Sequence, residues 1–230
     1  MSQSASRVDD LSIVVQDYLK AIWTATEWGG EPITTTGLAK RFGTSNATVS
    51  EAMHRLADAG LVAYQPYKPV SLTAAGVTYA TQMVRRHRLL ETFLAEVLGY
   101  PWDAVHDEAE RLEHAASDAF IERIDAYLGH PERDPHGDPI NPATTTGTTE
   151  TLAASRLDVA PPGSYRVLRV SDANPEALTT LETLGLTPGS HIRIIKTDPA
   201  TATITLQTPT GPQQIPLDLA TNVWLQPILT

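Results

Sequence analysis

The sequence contains no cysteine among its 230 residues. Disulfide bonds and thiolate metal ligands are therefore excluded, which is compatible with a reducing compartment. No apolar run approaches the roughly 20 residues that span a bilayer, and the polar start MSQSASRVDD lacks the apolar core of a signal peptide. We therefore expect a cytoplasmic protein with no membrane partner.

Positive charge is also scarce: the sequence has 17 Lys and Arg residues but 27 Asp and Glu residues, which gives a net charge of −10. This balance argues against a general nucleic-acid binder. The charge is unevenly placed: residues 76–135 hold 12 acidic and 6 basic side chains, whereas residues 36–68 hold 2 acidic and 4 basic. A concentration of carboxylates either keeps a helix solvated or attracts cations.

The first third of the sequence predicts a DNA-binding domain. Apolar residues recur with helical period in residues 10–28, and two shorter helical patterns follow at 35–42 and 47–60, separated by Gly43. The segment LVAYQPYKPVSLT then reads as two short strands around a proline-rich turn. Helix, tight turn, helix and hairpin is the order of a winged helix-turn-helix, although another small three-helix domain gives the same order.

The rest of the chain predicts a helical segment followed by a β domain. One long helix is expected over residues 73–99 and a second over 102–128, with Pro101 between them. From about Gly129 the composition becomes rich in Pro, Gly and Thr, which indicates a linker. Five short alternating runs then predict a small, bent sheet, with one short helix near PEALTTLETLG.

The stretch HDEAERLEH, residues 106–114, concentrates histidines and carboxylates on the second long helix. At about 100° per residue, one helical stripe is apolar and the adjoining stripe carries His106, Glu110, Glu113 and His114. The apolar stripe predicts core positions at Val105, Ala109, Leu112, Ala116 and Phe120. Unpaired carboxylates beside a core are costly, and a divalent cation removes that cost. A solvated face with ordinary hydrogen-bonded histidines is the alternative interpretation.

The preceding helix repeats this pattern, because His87 and Glu91 in RRHRLLE are four residues apart and share a face. The segment MVRRHRLLETFLAEVLGYPWDAVHDEAERLEHAASD, with PHGDPI downstream and the winged helix upstream, resembles the diphtheria toxin repressor family over nearly the whole chain. The resemblance is to a manganese-responsive member with three domains. It implies a mainly α protein with a small β domain.

The resemblance also implies the domain boundaries. They are a winged helix-turn-helix at 1–74, a helical metal-binding and dimerisation domain at 75–142, a linker at 143–160 and an SH3-like, FeoA-like β-barrel at 161–230. It implies a primary metal site of Asp17, Glu110, Glu113 and His114, and an ancillary site of His87, Glu91 and His106. Asp172 or Glu176 is expected to add a ligand from the third domain.

The ligand types predict the metal. Iron-responsive relatives carry methionine and cysteine where this chain has Asp17 and Glu110, and hard oxygen ligands favour Mn²⁺. Fe²⁺ is the alternative, and Zn²⁺ or Co²⁺ is expected to bind in vitro. Two-domain manganese regulators have a metal-binding glutamate where this chain has Lys20, which puts their paired-metal arrangement in doubt here.

The function that the resemblance implies is a metal-loaded homodimer that binds double-stranded operator DNA and represses metal-uptake genes. Apolar faces around residues 93–102 and 116–120 are expected to form the dimer. The predicted DNA contacts include Glu51, whose carboxylate could accept a hydrogen bond from N4 of cytosine but would repel phosphate. The full set is Lys40, Arg41, Thr44, Ser45, Asn46, Thr48, Ser50, Glu51, Arg55 and Lys68.

Two other classes of function stay open at this point. A winged-helix regulator of an organic ligand would use the His and Glu residues only structurally. A metal-dependent hydrolase would use the bound ion to activate water. HDEAERLEH is not HExxH, and the sequence shows no glycine-rich phosphate loop, so we do not expect an enzyme.

Overall fold

The computed structural model describes residues 8–142 and 154–228. The first domain contains a short 3₁₀ turn at Val8–Asp10, helices α1 (Ile13–Glu27), α2 (Thr35–Arg41) and α3 (Asn46–Asp58), and a hairpin of β1 (Val62–Ala63) and β2 (Ser71–Leu72). This order confirms the predicted winged helix-turn-helix. Its tight turn uses Gly43 at φ +60°, a left-handed conformation that glycine adopts without strain.

Helix starts and core contacts in this domain follow from the sequence. Thr34 and Ser45 cap α2 and α3 by accepting hydrogen bonds from the backbone N–H groups of Gly37 and Thr48. The core forms between α1, α2 and α3, and fully buried side chains in it contribute roughly 1.5–3 kcal/mol each. They include Leu19, Leu38, Val49 and Met53.

The middle domain contains three helices, α4 (Ala74–Glu96), α5 (Val105–Leu112) and α6 (Asp118–Tyr127). The single helix predicted over residues 102–128 is therefore wrong. It is interrupted after Leu112, and Ser117 starts α6 by accepting a hydrogen bond from the backbone N–H of Phe120. The interruption changes the helical phase before Phe120, which was predicted as core and is 48% exposed. Leu112, the last residue of α5, was also predicted as core and is 37% exposed.

Residues 129–142 are packed against the other domains, although their composition indicated a linker. Asp134, His136, Asp138 and Ile140 are all buried. The Asp134 carboxylate accepts hydrogen bonds from the backbone N–H groups of His136 and Asp138, which holds a tight turn. Residues 143–153 of the predicted linker lie outside the described residues.

The third domain has one antiparallel sheet in the order β3-β8-β4-β5-β6-β7. Its strands are β3 (Ser155–Arg156), β4 (Gly163–Val170), β5 (His191–Asp198), β6 (Thr203–Thr208), β7 (Gly211–Pro216) and β8 (Val223–Pro227), with α7 (Pro175–Thr183) and α8 (Leu217–Ala220). The five predicted strands and the helix near PEALTTLETLG are present. Strand β3 lies inside the range predicted as linker and pairs with β8. Within the described residues, no helix is both long and apolar enough for a membrane span.

The three domains meet at the guanidinium of Arg169, near the end of β4. It lies 4.8 Å from the ring centre of Trp28, at the end of α1, and 4.4 Å from that of Trp224 on β8. Asp138 pairs with Arg169 at 2.8 Å and accepts a 2.6 Å hydrogen bond from the Trp28 indole. One buried carboxylate from the middle domain thus connects α1 to the third domain.

Candidate metal centre

The first cluster joins the DNA-binding domain to the middle domain. Asp17 lies on α1, whereas Glu113 and His114 lie at the end of α5, and one ligand atom of each residue is within 4.8 Å of the others. Nε2 of His114 is 3.0 Å from Oδ1 of Asp17 and 3.6 Å from Oε1 of Glu113. The structure therefore brings together three of the four residues predicted for the primary site.

Gln16 orients this cluster and was not singled out from the sequence. Its Oε1 lies 2.8 Å from Nδ1 of His114, and its Nε2 donates to the carbonyls of Val8 and Leu11. With Nε2 directed to two carbonyls, the Oε1 atom is fixed as the acceptor for the Nδ1–H of His114. This arrangement directs Nε2 of His114 toward Asp17, where the two side chains could bind one cation.

The second cluster contains all three residues predicted for the ancillary site. His87 and Glu91 come from α4, His106 comes from α5, and Asp172 joins them from the loop after β4. Nδ1 of His106 is 3.0 Å from Asp172 and 3.3 Å from Glu91, and Nε2 of His87 is 3.0 Å from Glu91. Of the two expected third-domain ligands, Asp172 is in place, while Glu176 is exposed on α7 and belongs to no cluster among the described residues.

Asp134 and His136 extend the second cluster and were missed as ligands from the sequence. They form a buried group with Glu91, and Nδ1 of His136 lies 3.9 Å from Oε1 of Glu91 without a hydrogen-bond partner. The ring's other nitrogen, Nε2, donates to the carbonyl of Trp102 at 2.7 Å. Nδ1 therefore faces the carboxylates; burial lowers the pKa of His136, but Glu91 and Asp134 raise it above its ordinary value. The signal in the sequence was the spacing of His136 between two aspartates in DPHGD.

Glu110, predicted for the primary site, is placed between the two clusters. Its Oε1 is 2.6 Å from Nζ of Lys20, and it groups with His87 and Glu113 rather than with Asp17. Glu110 and Asp17 nevertheless line one cleft of about 240 Å³ together with Lys20, Arg41 and Phe42.

Electrostatic coupling shifts the titration of these groups in the metal-free protein. Burial alone would lower the pKa of His87, but Glu91 and Glu113 raise it to about 9. Burial likewise opposes protonation of His106, yet Asp172 and Glu91 raise its pKa to about 10. Burial raises the pKa of Asp17, and the neighbouring carboxylates of Glu110 and Glu113 add to this. The clusters thus hold protons on both histidines of the second cluster at neutral pH.

The chemistry of these side chains fits a divalent cation. Every donor in the two clusters is an imidazole nitrogen or a carboxylate oxygen, and none is sulfur. Nδ1 of His136, which has no hydrogen-bond partner among the described residues, is a further nitrogen donor in the deprotonated ring. Such N and O sets suit Mn²⁺, Fe²⁺ and Zn²⁺, with oxygen-rich sets favouring the harder ions.

Most of the predicted DNA-binding residues lie around the start and outer face of α3, while Lys40 and Arg41 end α2 and Lys68 lies between β1 and β2. Most are exposed, but some have structural roles: Ser45 caps α3, and the hydroxyl of Ser50 is 3.0 Å from that of Tyr64. Glu51 pairs with Arg55 at 3.3 Å, which reduces the negative charge that it presents. The residues that leave their side chains exposed are Lys40, Arg41, Ser45, Asn46, Thr48, Glu51, Arg55 and Lys68.

Family models match each of the three domains. Residues 10–70 match the N-terminal DNA-binding domain of iron-dependent repressors, residues 73–142 their metal-binding and dimerisation domain, and residues 156–227 the FeoA domain. The iron-dependent repressor IdeR of Mycobacterium leprae is 30% identical over 204 residues, which cover 84% of this chain and 88% of the relative. The diphtheria toxin repressor of Corynebacterium diphtheriae is 30% identical over 202 residues, covering 82% and 87%.

Solved structures agree with this assignment. A manganese-dependent transcriptional repressor in complex with manganese is 43% identical with a TM-score of 0.85, covering 93% of this chain and 100% of that one. The manganese regulator SloR is 30% identical with a TM-score of 0.74, covering 93% and 98%. The chain therefore belongs to the diphtheria toxin repressor family of iron-dependent repressors, and it is a metal-dependent transcriptional repressor rather than an enzyme.

Proposed function

We propose that this protein is a Mn²⁺-dependent repressor that binds operator DNA as a homodimer and controls genes for metal uptake. The observation that carries the proposal is the division of the first cluster between two domains. Asp17 belongs to α1 of the DNA-binding domain, and Glu113 and His114 belong to the middle domain. A metal ion bound by this cluster would fix the orientation of the DNA-binding domain relative to the middle domain.

The side chains of the cluster explain why the orientation would depend on metal. Burial raises the pKa of Asp17, and the nearby carboxylates of Glu110 and Glu113 add to this cost of ionisation. A bound Mn²⁺ would supply two positive charges shared by ligands of both domains. Gln16 keeps Nε2 of His114 directed at that position, so the middle domain presents a fixed ligand to α1.

Orientation matters because a dimeric helix-turn-helix protein reads two half-sites at a fixed spacing. If α1 is held against the middle domain, the separation of the two α3 helices in a dimer is fixed. The metal shifts the population toward this arrangement only by binding it more tightly than the alternatives. Once the helices are placed, the residues at the start of α3 reach phosphates and base edges.

Mn²⁺ is the proposed physiological ion because the first cluster contains two carboxylates and one imidazole, with no thioether or thiolate. Relatives in solved structures named as manganese-dependent include the one that is 43% identical to this chain. Fe²⁺ is the alternative activator, and Zn²⁺ and Co²⁺ would bind in vitro, since affinity for divalent ions follows the Irving–Williams order.

Exposed apolar side chains on the middle domain support the proposed dimer. Val97, Leu98 and Tyr100 lie after α4, and Phe120 and Tyr127 lie on α6, each at least 38% exposed. All but Tyr127 fall in the ranges 93–102 and 116–120 expected to form the interface, and the ring of Tyr127 lies 6.4 Å from that of Phe93. Burying these side chains between two protomers would remove exposed apolar surface from water. A repressor that acts on operator DNA works in the cytoplasm.

The proposal is tested by fluorescence anisotropy of labelled DNA from upstream of the protein's own gene. Chelator-treated protein is titrated at fixed salt, because phosphate contacts make affinity strongly salt-dependent. Mn²⁺ and then Fe²⁺ are added under the same conditions. We expect tight binding only with metal and a lower threshold for Mn²⁺. Equal binding with and without metal would contradict the proposal and favour a regulator of an organic ligand.

A further inference from the structure

A third group of ligand-type side chains lies between the two clusters. One ligand atom from each of His87, Glu110 and Glu113 lies within 4.8 Å of the others, the same spacing that defines the two candidate metal clusters. These residues come from α4 and α5, and two of the three are buried. By ligand type and spacing alone, this position qualifies as a cation site.

The position already contains a cation, the side-chain ammonium of Lys20 from α1. Nζ lies 2.6 Å from Oε1 of Glu110 and 2.7 and 2.8 Å from the two oxygens of Glu113, and it is 3.1 Å from Nδ1 of His87. Lys20 is itself buried, with 6% of its surface exposed. Burying an ammonium is costly unless ionised partners surround it, so this lysine is held in place by the carboxylates.

We propose that Lys20 acts as a built-in monovalent cation that occupies the central position of the metal centre and limits each chain to two bound divalent ions. This inference rests on the proposed function, because it presumes that the first and second clusters bind Mn²⁺. The ammonium fills the space between Glu110, Glu113 and His87, and its charge repels a third divalent ion. Lys20 is thus a residue that determines stoichiometry rather than a metal ligand.

The geometry also explains why a lysine suits this position. Both oxygens of Glu113 contact Lys20, and Oε2 also contacts His87 at 2.5 Å, so each oxygen of the buried carboxylate has a partner without metal. His87 contacts Glu113 of the first cluster and Glu91 of the second, so it links the two clusters. A divalent ion at the centre would lie between two others, where electrostatic repulsion among three doubly charged ions is severe. An ammonium satisfies the carboxylates with half that charge.

The test is the number of Mn²⁺ ions retained per chain after equilibrium dialysis, measured by inductively coupled plasma mass spectrometry. Wild type is expected to hold two ions. Lys20→Gln removes the ammonium and adds a neutral oxygen donor, and we expect it to hold three. Lys20→Arg keeps a cation and is expected to hold two. Lys196→Gln, which removes an exposed lysine from β5, makes the same change in net charge and is expected to hold two.

Stability gives a second readout that does not depend on DNA binding. Without metal, Lys20→Gln leaves Glu113 buried without its cation, so its melting temperature should fall below that of wild type. Added Mn²⁺ should then raise the melting temperature of Lys20→Gln more than that of wild type, because an additional ion binds only the folded variant. A variant that folds only when Mn²⁺ is present can be purified with Mn²⁺ and its bound ions counted.

The possible results separate this inference from the proposed function. Two ions in wild type and two in Lys20→Gln, or a Lys20→Gln protein that Mn²⁺ does not stabilise beyond wild type, would overturn the role of Lys20 alone. Three ions in wild type would overturn it as well. A wild-type chain that retains no Mn²⁺ would overturn the proposed function, and the role of Lys20 with it.

Discussion

Nε2 of His114 lies 3.0 Å from Oδ1 of Asp17, and this contact connects the middle domain to the first helix of the DNA-binding domain. The two residues are 97 positions apart in the sequence. Because each belongs to a different domain, a cation held between them would restrain the relative motion of those domains. The predictions below follow from this arrangement and from the contacts that support it.

Asp17→Ala should uncouple DNA binding from metal. The substitution removes the only α1 ligand of the first cluster among the described residues, so Mn²⁺ bound by Glu113 and His114 no longer holds α1. In anisotropy titrations we expect the stimulation of DNA binding by Mn²⁺ to fall by at least about tenfold, the change that a loss of roughly 1.4 kcal/mol in coupling gives.

Asp107→Ala is the matched control, because it removes an exposed aspartate from α5 outside every cluster. It should keep the stimulation of wild type. If Asp17→Ala repressed and responded to Mn²⁺ like Asp107→Ala, the restraint of α1 by metal would be disproved.

Gln16→Leu should weaken Mn²⁺ binding at the first cluster without removing a ligand. Outer hydrogen bonds to a metal-binding histidine typically contribute about 10–100-fold in affinity, and Oε1 of Gln16 makes that contact to Nδ1 of His114. Isothermal titration calorimetry with chelator-treated protein would measure the loss.

Gln16→Glu separates metal binding from packing in the same position. It keeps an acceptor oxygen for His114 but loses the hydrogen bonds that Nε2 donates to Val8 and Leu11. Its Mn²⁺ affinity should therefore stay closer to that of wild type than the affinity of Gln16→Leu. The reverse order would show that Gln16 acts through the fold and not through His114.

Mn²⁺ binding to the second cluster should release protons and tighten as pH rises. The pKa of His87 is raised to about 9 and that of His106 to about 10, so both imidazoles are protonated at pH 7. A ligand nitrogen must lose its proton, so with two protons released the affinity should rise by up to about 100-fold per pH unit below pH 9. Calorimetry in buffers of different ionisation enthalpy would count the protons, and release of none at pH 7 would contradict this.

The same pKa values give the metal-free protein the opposite pH dependence. A histidine whose pKa is higher when folded than when unfolded stabilises the fold fully below about pH 6.5, and this contribution is lost as pH rises through the folded value. Chelator-treated protein should therefore lose stability between about pH 7 and pH 10, as measured by urea unfolding. His87→Gln should flatten this loss.

Arg169→Gln should destabilise the junction of the three domains. Arg169 is buried between Trp28 and Trp224 and pairs with Asp138, which would be left without that cation. Removing one partner of a buried ion pair costs about 3–5 kcal/mol. Arg156→Gln is the control, since Arg156 pairs with Asp158 at the surface and should contribute less than about 1 kcal/mol. Denaturant unfolding of both variants would decide whether the difference exists.

The order of elements in the first and third domains could be predicted because it depends on local signals. Thr34 and Ser45 are hydroxyl N-caps, and Gly43 allows the tight turn between α2 and α3. In the strands of the third domain, polar and apolar residues alternate. The break after Leu112 was not predicted, because Glu113 and His114 are both compatible with a helix. The positions of these two side chains depend on their tertiary contacts with Asp17 and Lys20 of α1. Helical projection across the break then misplaced Phe120, which lies beyond it.

The candidate site could be predicted only in part, because some of its residues have local sequence signals and others are brought together only by tertiary contacts. The spacing of His87 and Glu91 places them on one face of α4, whereas their meeting with His106 depends on how α5 packs against α4. No sequence pattern indicates a role for Gln16, because a glutamine is common in helices. Its role follows only from the tertiary contact with His114. Asp134 and His136 lie in a Pro- and Gly-rich segment whose composition indicated a linker, and only its packing against Glu91 gives these residues a role.

The most direct test of the account is the distance between the two α3 helices of a dimer with and without metal. Because the chain has no cysteine, Asp58→Cys at the exposed end of α3 introduces a single labelling position. Time-resolved energy transfer between donor- and acceptor-labelled protomers should give a broad distance distribution with chelator and a narrow one with Mn²⁺. Asp17→Ala should stay broad in both. Identical distributions in wild type with and without bound Mn²⁺ would contradict the claim that metal positions the DNA-binding domains.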